Sequence, residues 1–149
     1  VDLPLNLIIE CLTGFCVCYF KDKRHSPESP PHYYVTVPIT NDTSLLLCII
    51  TSQVENQMWY YRNVNVSAIS SLVRVDQSSL PFLTKESFID CNRAELIRKN
   101  EFIKIVDSKP CLEIKTRDVP DELKREIISA INKSPLVKSF IKRLIISNY

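Results

Sequence analysis

Apolar residues at the start of the chain recur as Leu3, Leu7, Ile8, Cys11 and Leu12. This spacing puts them on one face of a short helix over 3–12, with Asp2 as its cap. The pattern then becomes β-like. "FCVCYF" (15–20), "HYYVTVPI" (32–39) and "LLLCIITS" (45–52) read as three strands. The turn "TNDTS" (40–44) joins the last two, and so short a link favours an antiparallel hairpin. The first two are separated by "KDKRHSPESPP" (21–31), a long loop without periodicity and with Pro27, Pro30 and Pro31.

Further along, 53–65 is mixed and reads as a loop with a helical piece. Residues 68–76 alternate as an edge strand does. Pro81 marks a turn over 78–83, and 86–92 is a short strand. "RAELIRKNEFI" (93–103) suggests one or two helical turns, and 109–119 a final extended segment. The clearest elements close the chain. Asp118 caps a helix with Pro120 in its first turn, where the missing N–H costs nothing, and Leu123, Ile127, Ile128 and Ile131 form its apolar face. Ser134-Pro135 repeats the start signal. Leu136, Val137, Phe140, Ile141, Leu144 and Ile145 then form a second apolar face, opposite Lys138, Lys142 and Arg143. Short antiparallel strands followed by a helix pair make an α+β fold. We expect a single domain over 1–149, with a small antiparallel barrel over 14–118, because closure removes sheet edges, and helices over 119–147.

Composition narrows the function classes. A chain of 149 residues, 45% apolar and 24% charged, forms a globular domain and builds its own core. It has one glycine, so turns rest on Pro, Asn, Asp and Ser, and a glycine-rich phosphate loop is excluded. The net charge of +2 does not announce a nucleic-acid binder. The charge is unevenly spread, however, with "KDKRH" (21–25) and the tail from Pro120 locally basic. Six cysteines stand at 11, 16, 18, 48, 91 and 111, several within apolar runs and none in a CxxC pair. They read as reduced, buried thiols of a cytoplasmic protein, not as disulfides or zinc ligands. No run approaches the roughly 20 apolar residues of a membrane span, and "LPLNLIIECL" makes a poor signal peptide, so no membrane partner is expected.

Candidate chemistry gathers in two places. Thr51 ends a solid apolar strand, followed at once by Ser52 and Gln53. A hydroxyl at a strand rim can donate to a phosphate oxygen, although such hydroxyls also bond the local backbone. The 21–31 loop carries Lys21, Lys23, Arg24 and His25, which suit either a phosphodiester clamp or a solvated surface. His32 opens the second strand, and an imidazole is the usual acid or base for a ribose 2′-hydroxyl. Of Tyr33 and Tyr34, one belongs to the core and the other is available to stack on a base. "MWYY" (58–61) followed by Arg62 is a further aromatic and basic cluster, with core packing as its ordinary role. No Ser-His-Asp set or metal cluster is evident. That leaves metal-free chemistry on a phosphodiester, or simple binding, with no cofactor.

In order and character, "GFCVCYF", the basic loop, "PPHYYVTVPI", "LLLCIITSQ" and "ESFIDCNRAELI" resemble the MazF/PemK (Kid) group of bacterial toxins from toxin–antitoxin systems, over residues 14–100. "IITSQ" is the most specific match. The resemblance implies an SH3-like barrel, a homodimer, a cognate antitoxin protein, and a metal-independent endoribonuclease acting on single-stranded RNA. The family's threonine carries over to Thr51. Where the family has Arg-Pro this chain has "PPHYY", so His32 stands nearest that position. The catalytic set is then His32, Thr51 and Arg24, with Lys21, Lys23, Tyr34, Ser52, Gln53 and Arg62 on the nucleic acid. Two non-enzymatic alternatives keep the barrel: a gyrase-binding toxin similar to CcdB, using Lys138, Lys142 and Arg143, and a plain protein- or nucleic-acid-binding module.

Overall fold

The computed structural model describes residues 3–108 and 111–147. Its strands are β1 (Val17–Phe20), β2 (His32–Val37), β3 (Ser44–Thr51), β4 (Leu72–Val75), β5 (Ser87–Asp90), β6 (Glu95–Arg98) and β7 (Glu113–Thr116). Its helices are α1 (Leu5–Glu10), α2 (Val54–Val64), α3 (Lys99–Ile105), α4 (Asp121–Lys133) and α5 (Ser139–Leu144). The strands form one antiparallel sheet in the order β4-β5-β3-β2-β1-β7, with β6 also on β3. Among the described residues no helix is long and apolar enough to cross a membrane.

The run Leu45–Ile50 is apolar on consecutive residues because β3 is covered on both faces. Leu46, Cys48 and Ile50 join one core with Val35, Val37, Ile127, Ile131 and Ile141, under α4 and α5. Leu45 and Leu47 join a second core with Ile9, Phe20, Tyr34 and Phe102, under α1 and α3. This corrects the expected barrel. In a small barrel each strand alternates between an inner and an outer face, whereas here both faces pack on helices. The sheet is open, and β4 and β7 share no ladder among the described residues.

Several boundaries also differ from expectation. Within 53–65, Val54–Val64 form an 11-residue helix, not a loop with a helical piece. The stretch 93–103 starts as a strand, because Glu95–Arg98 pair with Leu47–Ser44, and only then turns helical. Strand β4 is shorter than 68–76, a 3₁₀ turn over Val66–Ser71 taking the first part. Pro120, not Asp118, holds the cap position of α4, while Asp118 accepts an ion pair from Lys124 at 2.7 Å. Phe140 and Leu136 lie exposed instead of in the second apolar face. The Asp2 cap falls outside the described residues.

Two local features position the site. Gly14, at φ +67°, carries the chain from α1 into β1 through the left-handed backbone that glycine tolerates best. The second lies beside β3. Ile89 faces Ile50 and Glu95 faces Leu47, so three steps along β3 are matched by six on the neighbouring chain. The excess, Cys91–Arg93, is looped out as a 3₁₀ turn in which Cys91 and Asn92 are buried and Arg93 projects outward.

Candidate functional site

Strand alternation sends His32, Tyr34 and Thr36 to one face of β2. On that face the ladders set Phe20 opposite His32, and both Cys18 and Ile49 opposite Tyr34. Thr51 follows Ile49 by two residues, so it shares the face, one strand over from His32. His32 and Thr51 line one cavity of about 400 Å³, together with Ser52, Gln53 and Lys85. Another cavity, of about 350 Å³, is lined by Asp22, Arg24 and His25 from the loop, Tyr34 and Ile49 from the sheet, and Arg93 and Glu95. The two cavities share no lining residue: the first takes Tyr33 and Ile50, the second Tyr34 and Ile49, which alternate to opposite faces of β2 and β3. His32 lines the first and His25 the second, and their rings stand edge to face with centroids 5.5 Å apart.

The loop that brings His25 there is pinned. The Lys23 N–H donates to Ile105 O at 2.7 Å, and the Asp107 N–H donates to Lys21 O at 2.8 Å, tying the loop to the end of α3. Lys21 is buried, and its ammonium donates to Ser26 O at 2.7 Å. It braces the loop instead of facing the cavities. Arg24 is similarly engaged. Its guanidinium donates to both Asp22 oxygens and to both Glu95 oxygens, at 2.6–3.2 Å. Those hydrogen bonds, Glu95's first and then Asp22's, push the guanidinium pKa up. The expected basic groove is therefore of mixed charge, and Arg24 holds carboxylates instead of waiting for a phosphate.

Burial works against the charged form of Asp22, but hydrogen bonds from the Arg24 side chain and backbone outweigh it and hold the carboxyl below its usual range. His25 Nε2 stands 3.8 Å from Asp22 Oδ2. His32 is shifted down, by burial first and then by His25, Lys21 and Arg93, so it is neutral at pH 7. The Tyr34 phenol is shifted up by burial and then by Asp22, so it keeps its proton. The Tyr34 residue is only 6% exposed, its ring stacks on Phe20 at 4.4 Å, and its hydroxyl has no hydrogen-bond partner among the described residues. A buried orphan hydroxyl on a cavity wall carries a desolvation cost of about 1–3 kcal/mol until something bonds it.

Of the remaining candidates, Thr51 Oγ1 accepts the Gln53 N–H at 3.1 Å and keeps its own O–H to donate. Lys23 and Arg62 are exposed and line neither cavity. Sequence reasoning put no functional weight on Asp22, Arg93 or Glu95. Arg93 makes no ion pair among the described residues and faces the His25 cavity. One signal was present: an acid inside the basic run "KDKRH" marks a local ion-pair centre. Nothing comparable singled out Arg93, whose position depends on the looped-out turn. Compared with family models, curated proteins and solved structures, the chain gives no match.

Proposed function

We propose that the protein is a metal-independent endoribonuclease acting on single-stranded RNA, with its centre at the paired histidines His25 and His32. The observation that carries this reading is the pair of imidazoles, His25 and His32, in edge-to-face contact, with Thr51 lining the cavity of His32 and Arg93 that of His25. Two imidazoles, one giving and one taking a proton, are what phosphodiester transesterification requires.

In this mechanism neutral His32 accepts the 2′-hydroxyl proton as the 2′-oxygen forms a bond to phosphorus. The bond from phosphorus to the 5′-oxygen breaks, and protonated His25 delivers a proton to that leaving oxygen. The products are a 2′,3′-cyclic phosphate and a free 5′-hydroxyl. Thr51 and the orphan Tyr34 hydroxyl donate to the non-bridging oxygens, and Arg93 offsets the charge that builds on them. Arg24, with Asp22 and Glu95, is a positioning residue that fixes the loop carrying His25. Ser52 and Gln53 extend the rim along the strand. The resemblance to MazF/PemK toxins rests on the β1–β2–β3 meander and "IITSQ". It adds to the proposal a homodimer and an antitoxin partner in the cytoplasm.

The test is to incubate the purified protein with a mixed single-stranded RNA pool in EDTA and to look for cyclic-phosphate ends. Cleavage is expected. His25→Ala, His32→Ala and Thr51→Ala should each lower the rate by at least about tenfold with the fold intact. Absence of cleavage by the unaltered chain, or wild-type rates in both histidine variants, removes the reading.

A further inference from the structure

We infer that the groove along α2 holds an unpaired base of the RNA strand. This rests on the reading above for its substrate and adds to it a subsite that fixes where the strand lies. The groove, about 710 Å³, is lined by Asn56, Gln57, Trp59, Tyr60, Arg93 and Leu136, along with Tyr61. Trp59 is 66% exposed, Tyr60 49% and Leu136 44%. Large apolar side chains that share one concavity and remain open to water mark a surface that something covers.

The rings are held ready from beneath. Gln57 Nε2 donates to Asp90 at 2.7 Å, and the Tyr61 hydroxyl donates to the same oxygen at 2.8 Å. Asp90 is wholly buried, so α2 is fastened to the sheet at two points one turn apart. The Tyr61 ring then meets the Tyr60 ring edge-on, with centroids 5.2 Å apart. A platform already rigid loses little freedom when a flat ligand settles on it.

Three observations favour a nucleobase as the occupant. The charged side chain in the lining is a cation, Arg93, and among the described residues no carboxylate lines the groove. The Asn56 and Gln57 amides have the donors and acceptors that read base edges. Arg93 also lines the His25 cavity, so the groove and that cavity share this side chain. A phosphate held by Arg93 would have the reacting bond on the histidine side and a neighbouring base on the aromatic side. Stacking on Trp59 and Tyr60 tolerates any base, so the subsite supplies hold, not sequence choice.

Trp59 is the single tryptophan of the chain, so its emission reports the groove directly. The probe is an uncleavable 2′-O-methyl RNA hexamer of mixed sequence, titrated into the 149-residue chain. Saturable quenching of Trp59 is expected. Tyr60→Ala should weaken that titration, and Trp59→Ala should weaken the anisotropy of a dye-labelled hexamer, each by about five- to a hundredfold. Trp59→Phe should recover part of the loss. Unchanged emission at saturating hexamer overturns the inference. So does emission that shifts with protein concentration alone while sedimentation shows self-association, for then a second copy fills the groove. His32→Ala separates this inference from the cleavage reading. Quenching in that variant without cleavage by the unaltered chain leaves the subsite standing and removes the enzyme. Cleavage without quenching removes the subsite and leaves the enzyme.

Discussion

Removing one oxygen atom tests how α2 is fastened. The Asp90 carboxylate is wholly buried and accepts from Gln57 Nε2 at 2.7 Å, Tyr61 OH at 2.8 Å, and the Asn92 N–H and Nδ2 at 3.1 and 3.2 Å. Burial and then the bond to Asp90 raise the Tyr61 phenol pKa, so it stays a donor throughout the physiological range. Tyr61→Phe keeps the ring, its volume and its edge contact with Tyr60, and deletes only the donor. A hydrogen bond to a charged group contributes about 1.5–3 kcal/mol, and Tyr61 is 1% exposed, so water cannot take the donor's place. In a domain of this length each kcal/mol shifts Tm by about 2–4 °C, which gives a fall of about 3–12 °C. Urea unfolding followed by far-UV circular dichroism gives the free energy, and the slope m should stay unchanged. Tyr60→Phe is the control: the residue is half-exposed and its hydroxyl has no such partner among the described residues, so the change should stay within about 0.5 kcal/mol. If Tyr61→Phe also stays within that range, the account of Asp90 as the anchor of α2 is wrong.

Three further outcomes follow from the same geometry. The pKa of His32 is below its ordinary 6.5 in the fold, so beneath that pH the unfolded chain binds a proton the folded chain refuses, and stability falls as pH drops through 6.5. His32→Gln should make that decline between pH 7.5 and 5.5 shallower in denaturant midpoints, and an equal decline in both proteins refutes the assignment. Arg93→Ala should cut RNA cleavage by about 10²–10³ while moving stability by no more than about 0.5 kcal/mol, because the side chain is exposed and makes no ion pair among the described residues; a large stability loss would give it a structural role instead. Phe102, fully buried and edge-on to Phe20 at 5.1 Å, joins α3 to the second core, so Phe102→Ala should cost about 3–5 kcal/mol by denaturant unfolding, and a loss under about 1 kcal/mol would mean the site collapses to fill the cavity.

The sequence made some of this readable and hid the rest for identifiable reasons. The strands around Cys18, Val35 and Leu47, and the helix faces of Ile127 and Ile141, carried their periods plainly. The β3 run was legible as buried, but an unbroken apolar stretch says only that both sides are covered, and it was assigned to a barrel wall. Helix α2 escaped because its partners are polar: Gln57 and Tyr61 turn inward to Asp90 while Trp59 and Tyr60 point out, which inverts the usual amphipathic rule. Glu95–Arg98 looked helical because local spacing cannot register a pairing with Leu47–Ser44, some fifty residues earlier. Of the residues proposed for the site, His32 and Thr51 were singled out from their strand ends. Arg24 was seen only as a charge, because its ties to Asp22 and Glu95 are set by folding.

The looped-out turn Cys91–Arg93 makes scaffold and chemistry separable. Excising those three residues would leave β5 and β6 in phase along β3, every side chain on its present face, since the offset between the two ladders equals the length of the insert. The same excision would delete Arg93, and with it Asn92, which joins Ala68 to Ser134. A length change in this chain would thus remove the guanidinium and a buried hydrogen-bond junction together while the strands stay in register, whereas Arg93→Ala removes the guanidinium alone.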